Sequence, residues 1–326
     1  MMRFRTKAEI MEVLRMPEEQ FQKEILPLAE AALKEQKGNK VQLRSMLGYS
    51  NICRCSCLYC GMRGGNKLPK RYRLSVEEIL SAAEMAKKNG FHRIFLISGE
   101  DFGFGFEKLH TVVKALHGMG LFISLACGEF SEEQYQALAE AGADEYVIKF
   151  EMSNPAVFNN LNPSTFYERR RKSIEAVQKS GMLLGSGNIV DYPNHDIDDL
   201  AEDILLMQAL NISWAPIIPY MPAMGTPLAE EGGRGSLLTL HKEIALLRLS
   251  IPGVDITAQQ PGPDPKSPLG DTQGCLDAVR AGANVLFFDL LPDTLSKNFR
   301  VVDQRDLTNI AHPFEAAKKG GFELDL

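Results

Sequence analysis

Between Lys40 and Asp289, short apolar or β-branched runs alternate with stretches whose apolar residues recur at helical spacing. The runs fall at Val41–Tyr49, Arg93–Ser98, Leu121–Cys127, Glu145–Glu151, Leu183–Val190, Ser213–Pro219, Val254–Ala258 and Asn284–Asp289. Helix signals stand between them. Ser75-x-x-Glu78 forms a capping box ahead of Ile79, Leu80, Ala83 and Ala86, with Gly90 as a stop, and Ser131 with Gln134 opens another. Further helices are expected near Glu107–Leu116, Tyr167–Lys179, Ile197–Leu210, Leu237–Leu249 and Cys275–Ala281. Eight such units predict an α/β fold with a parallel sheet closed into a complete (β/α)8 TIM barrel, the alternative being an open doubly wound sheet.

Ahead of the barrel, Thr6–Arg15 and Pro17–Gln36 read as two helices, the first opened by Thr6-x-x-Glu9 and the second carrying a possible kink at Pro27. Residues 1–39 are therefore expected to form an N-terminal helical extension, and 40–326 the barrel with its C-terminal tail, where a last helix is expected near His312–Lys319. The loop Gln259–Pro268 is long and rich in proline; loops of that kind at the C-terminal face of a barrel usually serve function.

Composition narrows the function classes. Hydrophobic residues make up 44% of the 326, ample for a core, while a net charge of −6 argues against a nucleic-acid-binding surface. No apolar run approaches a membrane span, and Met1–Lys7 lacks the apolar core of a signal peptide, so a cytoplasmic protein is expected. In that reducing compartment, clustered cysteines point to a metal or to catalysis.

Four of the six cysteines lie within Cys53–Cys60, and Cys53, Cys57 and Cys60 are spaced CxxxCxxC. Cys127 and Cys275 stand alone, so no second pair completes an ordinary zinc site; an iron–sulfur cluster held by three thiolates, with one iron open, fits better. Cys55 is left as a spare thiol or an alternative ligand. A zinc knuckle, or a cluster carrier without catalysis, is the competing reading.

This loop resembles the radical S-adenosylmethionine (SAM) superfamily. The resemblance implies a [4Fe–4S] cluster on Cys53, Cys57 and Cys60 whose open iron takes the amino and carboxylate groups of SAM, and reductive cleavage of SAM to a 5′-deoxyadenosyl radical. With Tyr49–Cys53, Cys57–Arg63, Asn66, Arg71–Ser75, Ser98–Asp101 and Thr226–Leu228, the chain is similar to the branch holding the hydrogenase maturase HydE, methylornithine synthase and, more distantly, biotin synthase; Gly128-Glu129 and Asn154-Pro155 lean toward HydE. The branch implies a small-molecule substrate inside the barrel and a reductant such as ferredoxin or flavodoxin. Metal-cofactor maturation competes with an amino-acid mutase reaction. No acidic residue supports an amino-acid clamp in the seventh strand, and no cysteine set supports the second cluster of biotin synthase.

Barrel sites lie at the C-terminal strand ends, and the resemblance implies which residues there take which role. For SAM these are Tyr59 against the adenine; Ser98, Gly99 and Glu100 at the amino group; Glu129 and Glu151 for its polar groups; and Arg170, one of three successive arginines, for its carboxylate. Asp101, Tyr220, Met224, Gln259, Gln260 and Asp289 are candidate substrate contacts.

Overall fold

The computed structural model describes residues 4–305, 307 and 310–326. The first three residues of the expected N-terminal extension lie outside that set. The chain enters through α1 (Lys7–Arg15), α2 (Glu18–Glu24) and α3 (Leu26–Lys37). The expected Pro17–Gln36 helix is thus two, broken at Ile25 just before Pro27. Proline cannot donate to the preceding turn, but at the start of a helix it costs nothing.

There follow β1 (Lys40–Ser50), α4 (Val76–Lys88), β2 (Arg93–Ser98), α5 (Phe106–Gly118), β3 (Phe122–Ala126), α6 (Glu132–Glu140) and β4 (Glu145–Val147). Then come α7 (Pro155–Leu161), α8 (Tyr167–Lys179), β5 (Leu183–Gly185), β6 (Ile189–Val190), α9 (Ile197–Ala209), β7 (Trp214–Ala215) and β8 (Ile218–Pro219). The chain ends through α10 (Leu237–Ser250), β9 (Asp255–Ile256), α11 (Thr272–Arg280), β10 (Val285–Asp289), α12 (Asp293–Ser296), α13 (Ala311–Gly320) and β11 (Glu323–Asp325).

The main sheet is parallel and curled, in the order β10-β1-β2-β3-β4-β5-β7-β9, with β11 beside the start of β1. β6 and β8 pair separately, so the expected fifth and sixth strands are each split in two. Pro216 lies between β7 and β8 and has no amide to give the ladder. At the two ends of the sheet, Asn284 N donates to Ile256 O at 2.9 Å and Ala258 N to Val285 O at 2.7 Å.

The concave face is closed at its base by charge. Arg44 on β1 is buried, with Nη1 2.5 Å from Glu145 Oε2 and Nη2 3.2 Å from Asp255 Oδ2. Its guanidinium sits 4.4 Å from the Trp214 ring centroid. Above it lies an apolar layer in which Phe95 meets Trp214 edge-on at 5.1 Å and Phe287 at 6.0 Å. The helices pack outside, and Lys242 on α10 ties down the end of α1 by donating to Leu14 O at 2.8 Å and Met16 O at 2.6 Å. Among the described residues no helix is long and apolar enough to cross a membrane.

Local signals account for most helix starts. Thr6, Ser75 and Ser131 each form a reciprocal capping box. At α4, Ser75 Oγ accepts from Glu78 N at 3.2 Å and Glu78 Oε2 accepts from Ser75 N at 2.7 Å. Replacing Ser75 by Ala is expected to cost about 1 kcal/mol, read as a lower urea midpoint with an unchanged slope; no shift in midpoint would show that the cap contributes nothing.

Candidate active site

β1 delivers the chain to the C-terminal edge of the sheet, where residues 51–61 cross it as a loop without regular structure. Asn51 is fully buried and staples the loop's entry: its amide donates to Lys70 O at 2.9 Å and Asn298 O at 2.8 Å, and its carbonyl accepts from Tyr72 N at 2.8 Å. Arg71 donates to four carbonyls, those of Asn51 (2.6 Å), Met62 (2.8 Å), Arg63 (2.8 Å) and Asn66 (2.9 Å). The 71–75 segment thus holds the cysteine loop in shape through its backbone. Gly99 completes the seat: a Cβ there would lie 2.3 Å from Ile52 O and 2.7 Å from Cys53 Cβ, so only glycine lets the end of β2 approach so closely.

Beneath the loop is a cavity of about 370 Å³. Cys53, Cys55, Cys57 and Cys60 line its upper part, Lys149, Glu151 and Arg170 its flank, and Trp214, Phe95 and Phe287 its floor. Burial pushes the Cys57 thiol up to about 12 and Cys60 upward as well, whereas a hydrogen bond from Cys55 brings Cys53 down to about 6. Among the described residues no three His, Cys, Asp or Glu side chains converge closely enough for one metal ion to bond them all.

The polar groups after β2, β3 and β4 form a linked set. Glu100 accepts at Oε1 from Arg54 Nε at 3.0 Å and Nη2 at 2.5 Å, and at Oε2 from the Cys55 thiol at 3.0 Å. Glu129 is buried between Arg169 Nε and Arg170 Nε, each at 2.8 Å. Arg170 also donates to Lys149 O. Glu151 holds φ at 61°, in the left-handed region that costs a residue other than glycine about 1–3 kcal/mol. Its backbone is pinned there by bonds to Gly187 O and from Ile189 N, both 3.0 Å. Lys149 Nζ is 3.1 Å from Glu151 Oε2, an ion pair without hydrogen-bond alignment. Tyr220 lines the cavity, is 2% exposed, and its hydroxyl has no partner.

The cavity gathers Cys53, Cys57, Cys60, Tyr59, Ser98, Gly99, Glu100, Glu129, Glu151, Arg170, Tyr220 and Gln259. Of the three successive arginines, Arg170 is the one that lines it. Four candidates lie elsewhere. Asp101 faces away, bound to Arg73 at 2.6 Å and to Ser50 Oγ at 2.6 Å; burial works to raise its pKa, but these partners outweigh it and hold the carboxyl low. Nor does Asp101 cap α5, whose N-cap is Gly105. Met224 is 62% exposed on the outer surface. The side chain of Gln260 is turned into the wall, donating to Ile217 O and Thr257 O at 2.9 Å each. Asp289 pairs with Arg305 at 2.8 Å and accepts from Ser296 at 3.0 Å behind the cavity.

Arg54, Lys149, Thr257 and Arg305 were not singled out by sequence. Lys149 had a signal: period-two alternation through 145–151 puts Val147, Lys149 and Glu151 on one face. Arg305 had none, since it follows an irregular segment after α12.

A curled parallel sheet whose C-terminal edge gathers thiols, carboxylates and a largely enclosed guanidinium around one cavity defines an α/β enzyme with its site where such sheets place it. Residues 47–207 match the radical SAM superfamily. Over 253 residues the chain is 35% identical to the [FeFe] hydrogenase maturase subunit HydE of Thermotoga maritima, covering 78% of this chain and 72% of that one. It is 27% identical over 254 residues to 3-methylornithine synthase of Methanosarcina acetivorans, covering 76% and 69%. The crystal structure of methylornithine synthase (PylB) shares the fold, with a TM-score of 0.85 over 99% of this chain and 94% of that one at 22% identity. The chain belongs to the radical SAM superfamily. Members of that superfamily are enzymes that use a [4Fe–4S] cluster and SAM, and this chain is accordingly a radical SAM enzyme.

Proposed function

We propose that the chain is a HydE-like radical SAM enzyme acting on a small molecule held beneath the cysteine loop, in the maturation of a metal cofactor. The observation that carries this is the meeting of Cys53, Cys57 and Cys60 with Glu100, Glu151 and Arg170 on one cavity roofed by the loop. The residues fit the cluster. Three thiols of one short loop lining one cavity suit a multi-iron group, in which each thiolate binds a different iron. The partnerless Tyr220 hydroxyl beside the cavity suits a polar ligand, since buried polar groups ordinarily find a partner.

When bound, the cluster and SAM together supply the one-electron cleavage that yields a 5′-deoxyadenosyl radical. The protein's part is to bind and to shield. Cys53, Cys57 and Cys60 hold the cluster; Ser98, Gly99 and Glu100 receive the SAM amino group, Arg170 its carboxylate, and Glu129 orients Arg170. Glu151 serves the ribose, Tyr59 packs by the adenine, and Gln259 and Tyr220 face the substrate. The apolar floor under Trp214 keeps water from a reactive carbon radical. Lower in the cavity, Arg305 is already paired with Asp289 and Thr257 with Trp214 Nε1, which favours an uncharged substrate over an amino acid.

The hydrogen bonds between residues 256–258 and 284–285 support closure of the sheet into a complete (β/α)8 barrel, with residues 1–39 as a helical extension packed on its outside. The reductant is a ferredoxin or flavodoxin of the cytoplasm. Anaerobic reconstitution with iron and sulfide, followed by dithionite and SAM, is expected to release 5′-deoxyadenosine. Protein that carries zinc, or that leaves SAM intact once the cluster is reduced, would overturn the assignment.

A further inference from the structure

The stretch from Asn51 to Ser75 contains six basic residues and no acidic one, in a chain whose net charge is −6. Three of the six are spent within the fold. Arg54 pairs with Glu100, Arg73 with Asp101, and Arg71 is enclosed by backbone carbonyls. Arg63, Lys67 and Lys70 have no ion pair among the described residues. Lys67 and Lys70 are exposed, as is Lys297, whose neighbour Asn298 accepts from Lys70 N at 3.0 Å.

Two large apolar side chains are exposed on the adjoining segments, Leu68 at 52% exposure and Met224 at 62%. Asn66 holds the two segments together, donating to Gly61 O at 2.9 Å and Met224 O at 3.0 Å. Two acids lie beside this face: Asp303 is bound by Arg300 and Met224 N, and the exposed Asp293 stands one turn before Lys297, so the cationic character rests on Lys67 and Lys70.

What lies beneath gives the face a use. Gly64 N donates to Cys55 O at 2.8 Å and Arg63 N to Cys60 O at 3.1 Å, so the turn after the cysteines folds directly over their backbone. Gly64 and Gly65 are exposed and carry no side chain; a Cβ on Gly64 would come 2.9 Å from Cys53 O. Two glycines, beside the Arg63 side chain that donates to Ser56 O at 3.2 Å, thus form a thin part of the cover over the thiol loop. Electron transfer falls off steeply with distance, and thin cover shortens the path.

We infer that the face formed by Lys67, Leu68, Lys70, Met224 and Lys297 is the docking surface for an acidic one-electron carrier protein, which delivers its electron to the cluster across Gly64-Gly65. The inference rests on the function proposed above. Exposed apolar side chains flanked by unpaired cations suit a transient interface, and opposite charge on the carrier steers encounter and fixes orientation. The cations select an acidic partner on an otherwise acidic protein that would repel it.

The test compares two electron sources in the reconstituted full chain. Photoreduced 5-deazaflavin is small and uncharged; a purified acidic ferredoxin, kept reduced, presents the carrier surface. For Lys67→Glu/Lys70→Glu, ferredoxin-driven release of 5′-deoxyadenosine at sub-saturating carrier is expected to fall at least about tenfold, because electrostatic steering is worth roughly 10–1,000-fold in association rate. Deazaflavin-driven release is expected to match the unmodified chain. Salt at roughly 0.5 M should slow the ferredoxin reaction of the unmodified chain and leave that of the variant little changed. Ferredoxin affinity, read by titration calorimetry without SAM or turnover, should fall in the variant in parallel, and equal affinity or equal ferredoxin-driven rates in variant and unmodified chain would overturn the proposal. So would an unmodified chain that accepts electrons from deazaflavin and from no ferredoxin. Failure with deazaflavin itself would instead remove the radical SAM assignment, and this surface with it.

Discussion

Cys57→Ala is expected to yield a folded protein that takes up little iron, lacks the broad visible absorption of an iron–sulfur cluster and releases 5′-deoxyadenosine only at background. The loss should be on the order of 1,000-fold or more, because each thiolate holds its own iron and metal binding at such sites is coupled to a complete ligand set. Cys53→Ala and Cys60→Ala should behave alike. The fold should survive, since the loop is held by Asn51 and Arg71 through backbone carbonyls and not by the thiols. Cys55→Ala separates the readings of the loop. Its thiol contacts the Glu100 carboxylate at 3.0 Å, so its removal should weaken SAM binding by at most about 10–150-fold, the worth of one hydrogen bond to a charged group, and leave iron content intact. If Cys55→Ala instead abolishes iron uptake while Cys57→Ala does not, the ligand set is wrong.

The parts of this fold that could be read from sequence are those governed by local physics. The span of β2 is the expected Arg93–Ser98, because the unbroken apolar run Ile94–Ile97 between Gly90 and Gly99 fixes where the strand lies. The capping boxes at Ser75 and Ser131 placed α4 and α6 for the same reason. The second half was less legible. The expected run Leu183–Val190 contains Gly185, Ser186 and Gly187, and there the ladder breaks into β5 and β6. A Cβ on Gly187 would sit 2.9 Å from the Ile217 side chain, so close packing against the neighbouring strand decides that break, and sequence does not display such packing. Three further elements, α7, α12 and β11, were not expected. β11 spans three residues, too few to show a period, and exists because it pairs with the start of β1. α7 did carry a signal, Asn154 as a cap with Pro155 at the first turn.

The site divides along similar lines. Residues directly following a strand, such as Glu100 and Glu151, could be placed because a parallel sheet sends its strand ends to one edge. Which way a side chain then turns depends on partners distant in sequence. Asp101 follows Glu100 but is drawn outward by Arg73, and Gln260 follows Gln259 but is drawn into the wall by two carbonyls. Adjacent residues on an extended segment point to opposite faces, so only one of each pair could line the cavity.

Arg170 tests whether the polar group after β4 is a SAM site or only an internal strut. It is largely but not fully buried, shares Glu129 with Arg169 and donates to Lys149 O, so Arg170→Ala leaves the buried Glu129 carboxylate with the half-exposed Arg169 and the Thr165 hydroxyl at 3.3 Å. Breaking a buried pair from one side costs about 3–5 kcal/mol, and a marked drop in unfolding temperature is expected. A strut would show that drop and nothing more. A carboxylate-binding guanidinium predicts in addition that reconstituted Arg170→Ala carries its full iron yet binds SAM about 10–100-fold more weakly, the worth of one or two charge-assisted hydrogen bonds. Arg170→Lys supplies the discriminating contrast: it restores the charge beside Glu129 and hence much of the stability, but a point charge cannot form the forked contact, so SAM binding should recover less than stability does. Arg169→Ala removes an equally short contact to Glu129 from a side chain 45% exposed, and its cost should stay within about 1 kcal/mol. Spectroscopic titration of the reduced cluster with SAM reads the affinity without turnover. Unchanged affinity in folded, iron-loaded Arg170→Ala would reduce this residue to a support for Glu129 and leave the SAM carboxylate to be held elsewhere.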